Sequence, residues 1–372
     1  MKIAIVHDFA EYIGGAENVL NVLCQMFPSS DLYIPIVSKE MQHMFTRKIT
    51  GTLYTSVFNR YEIFHRHPNF FKLFCYWYWP RLSLSHYDII ISSSHSFSSK
   101  AVIAGSDALH IAYIHTPPRY LYSEYSQLRI MRNPLIRFFL FPYLYFMKKL
   151  DFISAQRPTV LVAGSEVVSK RIAAYYGRSS IVINPPVFFP LKISVRKEKK
   201  YYMTLSRLVG QKGVIMAVRV CTEKNIPLVV VGIGPEESRL RIIAGPNVRF
   251  VGFVSETEKT KLFSCAKALI NCAIDEDFGM STVEALGHGV PVIAYNSGAN
   301  SEIISHGKTG ILFDTYSPVS LFRAIMEFEL LHLSPSVCRK EAEQYSVKNF
   351  QKKVLHIISD YKKVQMRSSY VS

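Results

Sequence analysis

Apolar residues fall in short runs separated by polar turns along the whole chain, and most runs are followed by a stretch where apolar residues recur every three or four positions. A run of four to six apolar residues reads as a strand buried on both faces, and the longer spacing reads as one face of a helix. In the first half the runs lie at 3–6, 87–93, 109–114, 159–163 and 181–183; in the second they lie at 201–205, 228–231, 248–253, 268–272 and 290–294. Val19, Leu20, Val22, Leu23 and Phe27 mark the helix face after the first run. Strands alternating with helices predict an α/β protein with doubly wound parallel sheets.

The pattern stops and restarts around Pro185-Pro186, Pro190 and the charged run Arg196 to Lys200, which reads as a linker. Two Rossmann-like domains are therefore expected, 1–192 and 198–345. A last amphipathic helix, 346–364, carries Phe350, Val354, Ile357, Ile358 and Tyr361 on its apolar side. A chain of 372 residues exceeds one ordinary core, and 49% hydrophobic residues suffice for two.

A formal charge of +16 favours anionic partners such as nucleotides, nucleic acid or an acidic membrane surface. No nucleic-acid module is present, and the charge is spread over both halves, so no nucleic-acid partner is expected. The six cysteines stand far apart without a C-x-x-C pair, which predicts reduced, cytoplasmic thiols and neither a zinc site nor a disulfide framework. The start of the chain leaves no room for a secretory h-region, and the apolar stretch 138–147 is too short and too interrupted to span a bilayer.

The densest chemistry lies in Glu276-Asp277-Phe278-Gly279-Met280-Ser281-Thr282-Val283-Glu284. Two carboxylates eight positions apart flank the predicted start of a helix, with Glu276 on a loop after a buried strand and Glu284 in the first helical turn. Open amides at a helix N-terminus bind anions while carboxylates accept from hydroxyls, a combination that suits a sugar nucleotide. Ser281-x-x-Glu284 also fits a capping box, in which Glu284 satisfies a backbone donor. Gly14-Gly15, between the first strand and helix, reads either as a plain tight turn or as a place where a ligand approaches the backbone. Arg207 and Lys212 read either as solvated loop charges or as cations for a leaving diphosphate.

Two histidines, His95 and His115, follow predicted strands at their carboxyl ends, where open α/β sheets bind ligands. The aromatic and basic stretch 58–79 suits a lipid interface or a stacked ligand. Residues 129–149 join Arg132, Arg137, Lys148 and Lys149 to seven aromatic or leucine side chains; they read as a helical surface for an anionic leaflet or as a core helix with a charged face.

With Gly14-Gly15-Ala16-Glu17, Arg207 with Lys212, Gly232-x-Gly234-Pro235 and Glu276-x(7)-Glu284 in this order, the chain resembles the retaining GT-B glycosyltransferases of family 4. Ser92-Ser-Ser-His95-Ser and His115-Thr-Pro-Pro-Arg-Tyr-Leu are similar to the bacterial O-antigen mannosyltransferases within it. The resemblance implies two Rossmann-like domains facing a cleft, the first binding the acceptor and the second the donor, with the C-terminal helix crossing back to the N-terminal domain. It implies a hexosyl transfer, with mannose from GDP-mannose passed to a lipid-linked oligosaccharide on the inner face of the cytoplasmic membrane. A UDP-sugar donor, or a GT-B epimerase or hydrolase, is the alternative.

By the same resemblance Gly14 and Gly15 lie near donor phosphates or acceptor, and Arg207 and Lys212 grip the diphosphate. Glu276 with Phe278, Gly279, Met280 and Ser281 holds the sugar and phosphate, and Glu284 accepts from the ribose. Gly232, Gly234, Phe253 and Val254 border the nucleotide, and His95, with His115 as second choice, sits beside the transferred sugar. The chain departs from a double-displacement pattern in having no second acidic residue placed as a nucleophile. That agrees with the family's front-face retention, in which the departing phosphate assists the acceptor hydroxyl, and no metal or other cofactor is expected.

Overall fold

A computed structural model describes residues 1–67, 71–72, 74–95, 98–122, 134–190 and 199–369. Two compact units divide the chain: Met1–Pro186 with Phe350–Ser372, and Val187–Asn349.

In the first unit seven parallel strands form one sheet: β1 (Ile3–His7), β2 (Asp31–Tyr33), β3 (Leu53–Tyr54), β4 (Ile89–Ser94), β5 (Leu109–Ile114), β6 (Val160–Ala163) and β7 (Ile181–Val182). Their order in the sheet is β3-β2-β1-β4-β5-β6-β7. The register of β1 on β4 pairs Ile3 with Ile89 and His7 with Ser93, so the two strands end level. Strand order reverses between β1 and β4. Ligands of open α/β sheets sit outside the carboxyl ends at such a reversal.

The second unit holds β8 (Tyr201–Leu205), β9 (Leu228–Val231), β10 (Val248–Gly252), β11 (Ala266–Asn271), β12 (Val292–Tyr295) and β13 (Gly310–Phe313) in the order β10-β9-β8-β11-β12-β13, again all parallel. Side chains alternate across this sheet. Tyr202, Leu228, Val230, Ile270 and Ile293 enter one core, while Met203, Val229, Val231, Leu269 and Val292 enter the other. Burial on both faces explains why these strands are continuous apolar runs. Here the order reverses between β8 and β11.

Three strands escaped the sequence pattern. Strands β2 and β3 have only three and two residues, too few to show alternation, and β13 opens on a glycine after a polar turn.

The aromatic stretch 58–79 corrects an expectation. Phe71, Cys75 and Trp79 are buried with Ala4, Val6 and Ile90, and Phe58, Phe64, Tyr76 and Tyr78 pack against them. These rings are mostly core, not a surface for lipid, although Trp77 remains exposed. All six cysteines are free and buried.

Helix Pro134–Ala155 has two faces. Leu144, Met147 and Asp151 are buried, whereas Phe138, Phe141, Tyr145 and Phe146 are exposed. Lys149 is exposed, and the Lys148 ammonium lies over the Tyr122 ring. Arg132 and the side chain of Arg137 lie outside the described residues. No helix among the described residues is long and apolar enough to cross a membrane. The last helix, Val347–Ser369, brings Phe350 to Tyr113 of the first unit, ring centroids 6.0 Å apart.

Candidate functional site

In the second unit the site grows from the ends of β8 and β11. After β8 the chain makes a turn, Gly210–Lys212, closed by Gly213 at φ +62. A Cβ on Gly213 would stand 2.1 Å from the Cys272 carbonyl, so only glycine lets the β8 loop lie this close to the end of β11. That approach delivers Lys212, whose Nζ lies 2.8 Å from Oε1 and 2.7 Å from Oε2 of Glu276.

Glu276 is fixed from its other side as well. It bridges Gly298, and its carbonyl accepts from the Ala299 amide at 2.8 Å. Gly298 has φ +62, and a Cβ there would come within 2.3 Å of the Glu276 nitrogen, so the close crossing again requires glycine. The Glu276 side chain is only 11% exposed, which strengthens its pairing with Lys212 relative to a surface pair.

Helix Met280–Gly287 starts at Gly279, which is the N-cap at φ 87 and offers no side-chain cap. Thr282 and Val283 donate to the Gly279 carbonyl. The capping-box reading therefore fails: Ser281 lies inside the helix, and Glu284 stands in the second turn, not the first. Glu284 instead meets Lys259 of helix Glu256–Cys265, Oε2 to Nζ at 3.0 Å. Burial raises the Glu284 carboxyl above its ordinary range, and Lys259 opposes that rise. Phe278 is buried and stacks edge-on against Tyr345.

A cleft between these elements is lined by Thr204, Ser206, Lys212, Asn271 and Ser281 among others. The Thr204 and Ser206 hydroxyls are buried without a hydrogen-bond partner. A buried hydroxyl left unpaired is costly, so two of them beside a lysine make a place prepared for an oxygen-rich group. Sequence reasoning passed over both; their signal is the position of Thr204-Leu-Ser206 just before Arg207, at the reversal of strand order. Arg207 is exposed at the same turn.

Gly232 and Gly234 carry a packing duty: added Cβ atoms would strike the Ser206 carbonyl at 1.9 Å and the Leu208 carbonyl at 2.4 Å. Phe253 is 77% exposed beside the partly buried Val254.

The first unit builds a second centre at the ends of β1 and β4. Gly14 is the N-cap of helix Gly15–Met26, and its amide donates to Glu17 Oε2 at 2.9 Å. A Cβ on Gly14 would lie 2.8 Å from that oxygen. Glu17 Oε1 is 3.7 Å from Nε2 of His7, a buried imidazole with no hydrogen-bond partner on either ring nitrogen. Burial pushes the Glu17 carboxyl up, but His7 and His95 outweigh it and the group ends below its ordinary range.

Asp8 holds the loop after β4 by both oxygens, accepting from the amides of His95 and Ser99 at 2.8 Å each. The His95 ring lies 5.6 Å from that of His7 and 6.1 Å from that of His115, centroid to centroid. Burial lowers the imidazole pKa of His95 and drives that of His115 well below the usual histidine value. His115 Nε2 is engaged with the Ser93 hydroxyl at 2.8 Å. The structure thus gathers both expected histidines, and it adds His7, Asp8 and Glu17. Among the described residues, His7, Glu17 and His95 are grouped closely enough to hold a metal ion, with donor atoms within 4.8 Å of one another.

Residues 190–345 match the model of the family described as Glycosyl transferases group 1. An uncharacterized glycosyltransferase of Methanocaldococcus jannaschii is 26% identical over 183 residues, 45% of this chain and 47% of that protein. A GDP-mannose-dependent alpha-mannosyltransferase of Corynebacterium glutamicum is 29% identical over 116 residues, 31% of this chain and 28% of that protein. The chain therefore spans less than half the length of these curated relatives. Among solved structures, Anabaena HepE in complex with UDP and glucose superposes with a TM-score of 0.70 at 15% identity, covering 97% of this chain and 100% of that one. That likeness shows the fold: two parallel-sheet, Rossmann-like domains of the GT-B class.

Proposed function

We propose that this chain is a group 1 glycosyltransferase that moves a hexose from a nucleotide sugar to an acceptor hydroxyl with retention. The observation that carries the proposal is the Lys212–Glu276 pair, held by two close glycine crossings at the reversal of strand order beside two unpaired hydroxyls.

As the bond between the sugar C1 and the diphosphate oxygen breaks, negative charge gathers on the leaving group. Lys212, Arg207 and the open amides at the start of helix Met280–Gly287 are the proposed stabilisers, acting in a cleft with little water. Glu276 accepts from sugar hydroxyls, and Lys212 keeps that carboxylate oriented. The acceptor oxygen bonds to C1 on the face the phosphate leaves, and its proton passes to a phosphate oxygen of the departing diphosphate. The role proposed for His95 is contact with the transferred hexose. No step needs a metal ion.

The finer reading is mannose from GDP-mannose, supported by the Ser92 to Ser96 and His115 to Leu121 stretches and by the name of the Corynebacterium relative. The proposed acceptor is a lipid-linked oligosaccharide of O-antigen or surface-polysaccharide synthesis, reached from the cytoplasmic face of the membrane. The exposed aromatic face of helix Pro134–Ala155 beside Lys148 and Lys149 supports that setting. A UDP-sugar donor is the second reading, favoured by the UDP in the Anabaena structure.

Purified protein is incubated with a membrane extract and each of a set of labelled GDP- and UDP-sugars. Label in lipid from GDP-mannose alone is expected. Label from another donor overturns the mannose assignment, and rapid donor turnover without acceptor favours an epimerase or hydrolase.

A further inference from the structure

Glu284 presents two unlike oxygens. Oε2 lies 3.0 Å from Lys259 Nζ, the one ion pair of Glu284 among the described residues, and Oε1 lies outside it. The side chain is 14% exposed, so water supplies little compensation for its charge. Lys259 is pinned in turn: its side chain is 10% exposed, and its ammonium lies 2.8 Å from Glu256 Oε1, on an exposed side chain one turn earlier in the same helix. A lysine whose stem is buried and whose head is shared by two carboxylates has little freedom to turn. It therefore fixes the rotation of the Glu284 carboxylate.

That orientation has a chemical use. A vicinal diol offers two O–H donors, and an ionised carboxylate oxygen accepts from both, while a protonated carboxyl spends one oxygen as a donor itself. Burial favours the protonated form of Glu284, and Lys259 opposes it. Glu256 is the other charged group acting on this carboxyl, and it works in the same direction as burial. His288, the C-cap of the same helix, bonds the Glu284 main-chain carbonyl through its ring at 2.7 Å and stacks on Phe263.

We propose that Lys259 is a positioning residue that fixes one oxygen of Glu284 and leaves the other to accept the ribose hydroxyls of the nucleotide. The proposal rests on the reading of Glu284 as the ribose acceptor. It assigns the selection of ribose over deoxyribose to a residue outside the Glu276 to Glu284 stretch, on a different helix.

Binding to the full chain tests this without acceptor or turnover. Affinities for GDP and 2′-deoxy-GDP, and for UDP and 2′-deoxy-UDP, are compared by calorimetry in the unsubstituted protein and in Lys259→Met. The unsubstituted protein is expected to prefer the ribonucleotide roughly tenfold or more, the size of one hydrogen bond to a charged acceptor. Lys259→Met is expected to reduce that preference below about threefold, and Lys259→Arg, which keeps the cation, to restore most of it. If the unsubstituted protein shows no preference, the ribose reading of Glu284 falls and this proposal with it. If it shows the preference and Lys259→Met keeps it in full, the ribose reading stands and the role of Lys259 is overturned.

The pH dependence supplies a second check: ribose preference is expected to weaken in acid as the raised Glu284 carboxyl takes up its proton, and to weaken at higher pH in Lys259→Met, where the opposing cation is gone. An identical pH profile in the two proteins overturns the role of Lys259.

Discussion

Lys100 Nζ lies 2.5 Å from Asp151 Oδ1, and neither side chain is more than 1% exposed. Around the pair stand hydroxyls that satisfy the carboxylate: Tyr76 at 2.8 Å and Ser98 at 3.0 Å on Oδ1, Tyr176 at 2.8 Å and Tyr122 at 3.1 Å on Oδ2. Asp151 comes from the helix with the exposed aromatic face, and Ser98 belongs to the loop that carries His95. Removing one partner leaves an uncompensated buried charge. Asp151→Ala is therefore expected to lower unfolding free energy by about 3 to 5 kcal/mol in urea titrations, and the double variant Lys100→Met/Asp151→Leu to recover part of it. A loss below about 1 kcal/mol would show that water reaches the pair.

Glu276→Ala is expected to reduce turnover by orders of magnitude while circular dichroism and the melting midpoint stay near those of the parent. Because Lys212 holds both oxygens of Glu276, the two are coupled, and the double variant Lys212→Ala/Glu276→Ala should lose less transition-state stabilisation than the two single losses added together. Strict additivity, measured as kcat/KM, would show that they act apart.

Stability should fall in mild acid. Burial lowers the imidazoles of His95, His110 and His115, that of His110 to about 3. The unfolded chain takes up these protons near pH 6.5 while the folded chain does not, so stability is fully present above that value and is lost as pH falls below it. Urea midpoints should be flat between about pH 7 and pH 8 and fall from about pH 6.5 downward. His110→Asn should lessen the slope, since His110 bonds only the Ser92 hydroxyl through its ring. An identical slope in that variant would remove His110 from the account.

Replacing Phe138, Phe141, Tyr145 and Phe146 by Ser should release the protein from anionic vesicles in co-sedimentation, with donor affinity unchanged, because these rings face solvent and hold no part of the core. Replacing Arg132, Arg137, Lys148 and Lys149 by Ala should make residual binding insensitive to salt. Unchanged co-sedimentation in both variants would assign the aromatic face to something other than lipid.

Extensive dialysis against a chelator is expected to leave the transfer rate unaltered. Loss of activity that manganese or magnesium restores would overturn the metal-free reaction and direct attention to His7, Glu17 and His95.

The repeating architecture was legible because both sheets are buried on two faces, which writes each strand as a plain apolar run. The Glu276 to Glu284 stretch was legible as chemistry but not as geometry. The first-turn position of Glu284 and the capping box both followed from placing the helix start at Ser281, whereas a left-handed Gly279 begins the helix. A glycine cap has no side-chain signature. Lys259, Thr204 and Ser206 were invisible for another reason: none sits in a local pattern, and each reaches its place only when the fold lays separate strands and helices side by side. His7, Asp8 and Glu17 stood in plain view at the end of the first strand and the start of its helix, but buried histidine and acid look like any polar turn until β4 is laid beside β1.

The six buried thiols give the molecule a built-in clock. Burial pushes those of Cys24, Cys221 and Cys338 up to about 12, so a thiol reagent reaches these three only when the surrounding layer opens. Cys24 and Cys75 belong to the first unit, and Cys221, Cys265, Cys272 and Cys338 to the second. Mass spectrometry of labelled peptides over time therefore records the opening of each half separately, and a nucleotide that seats on the second should slow only its four sulfurs.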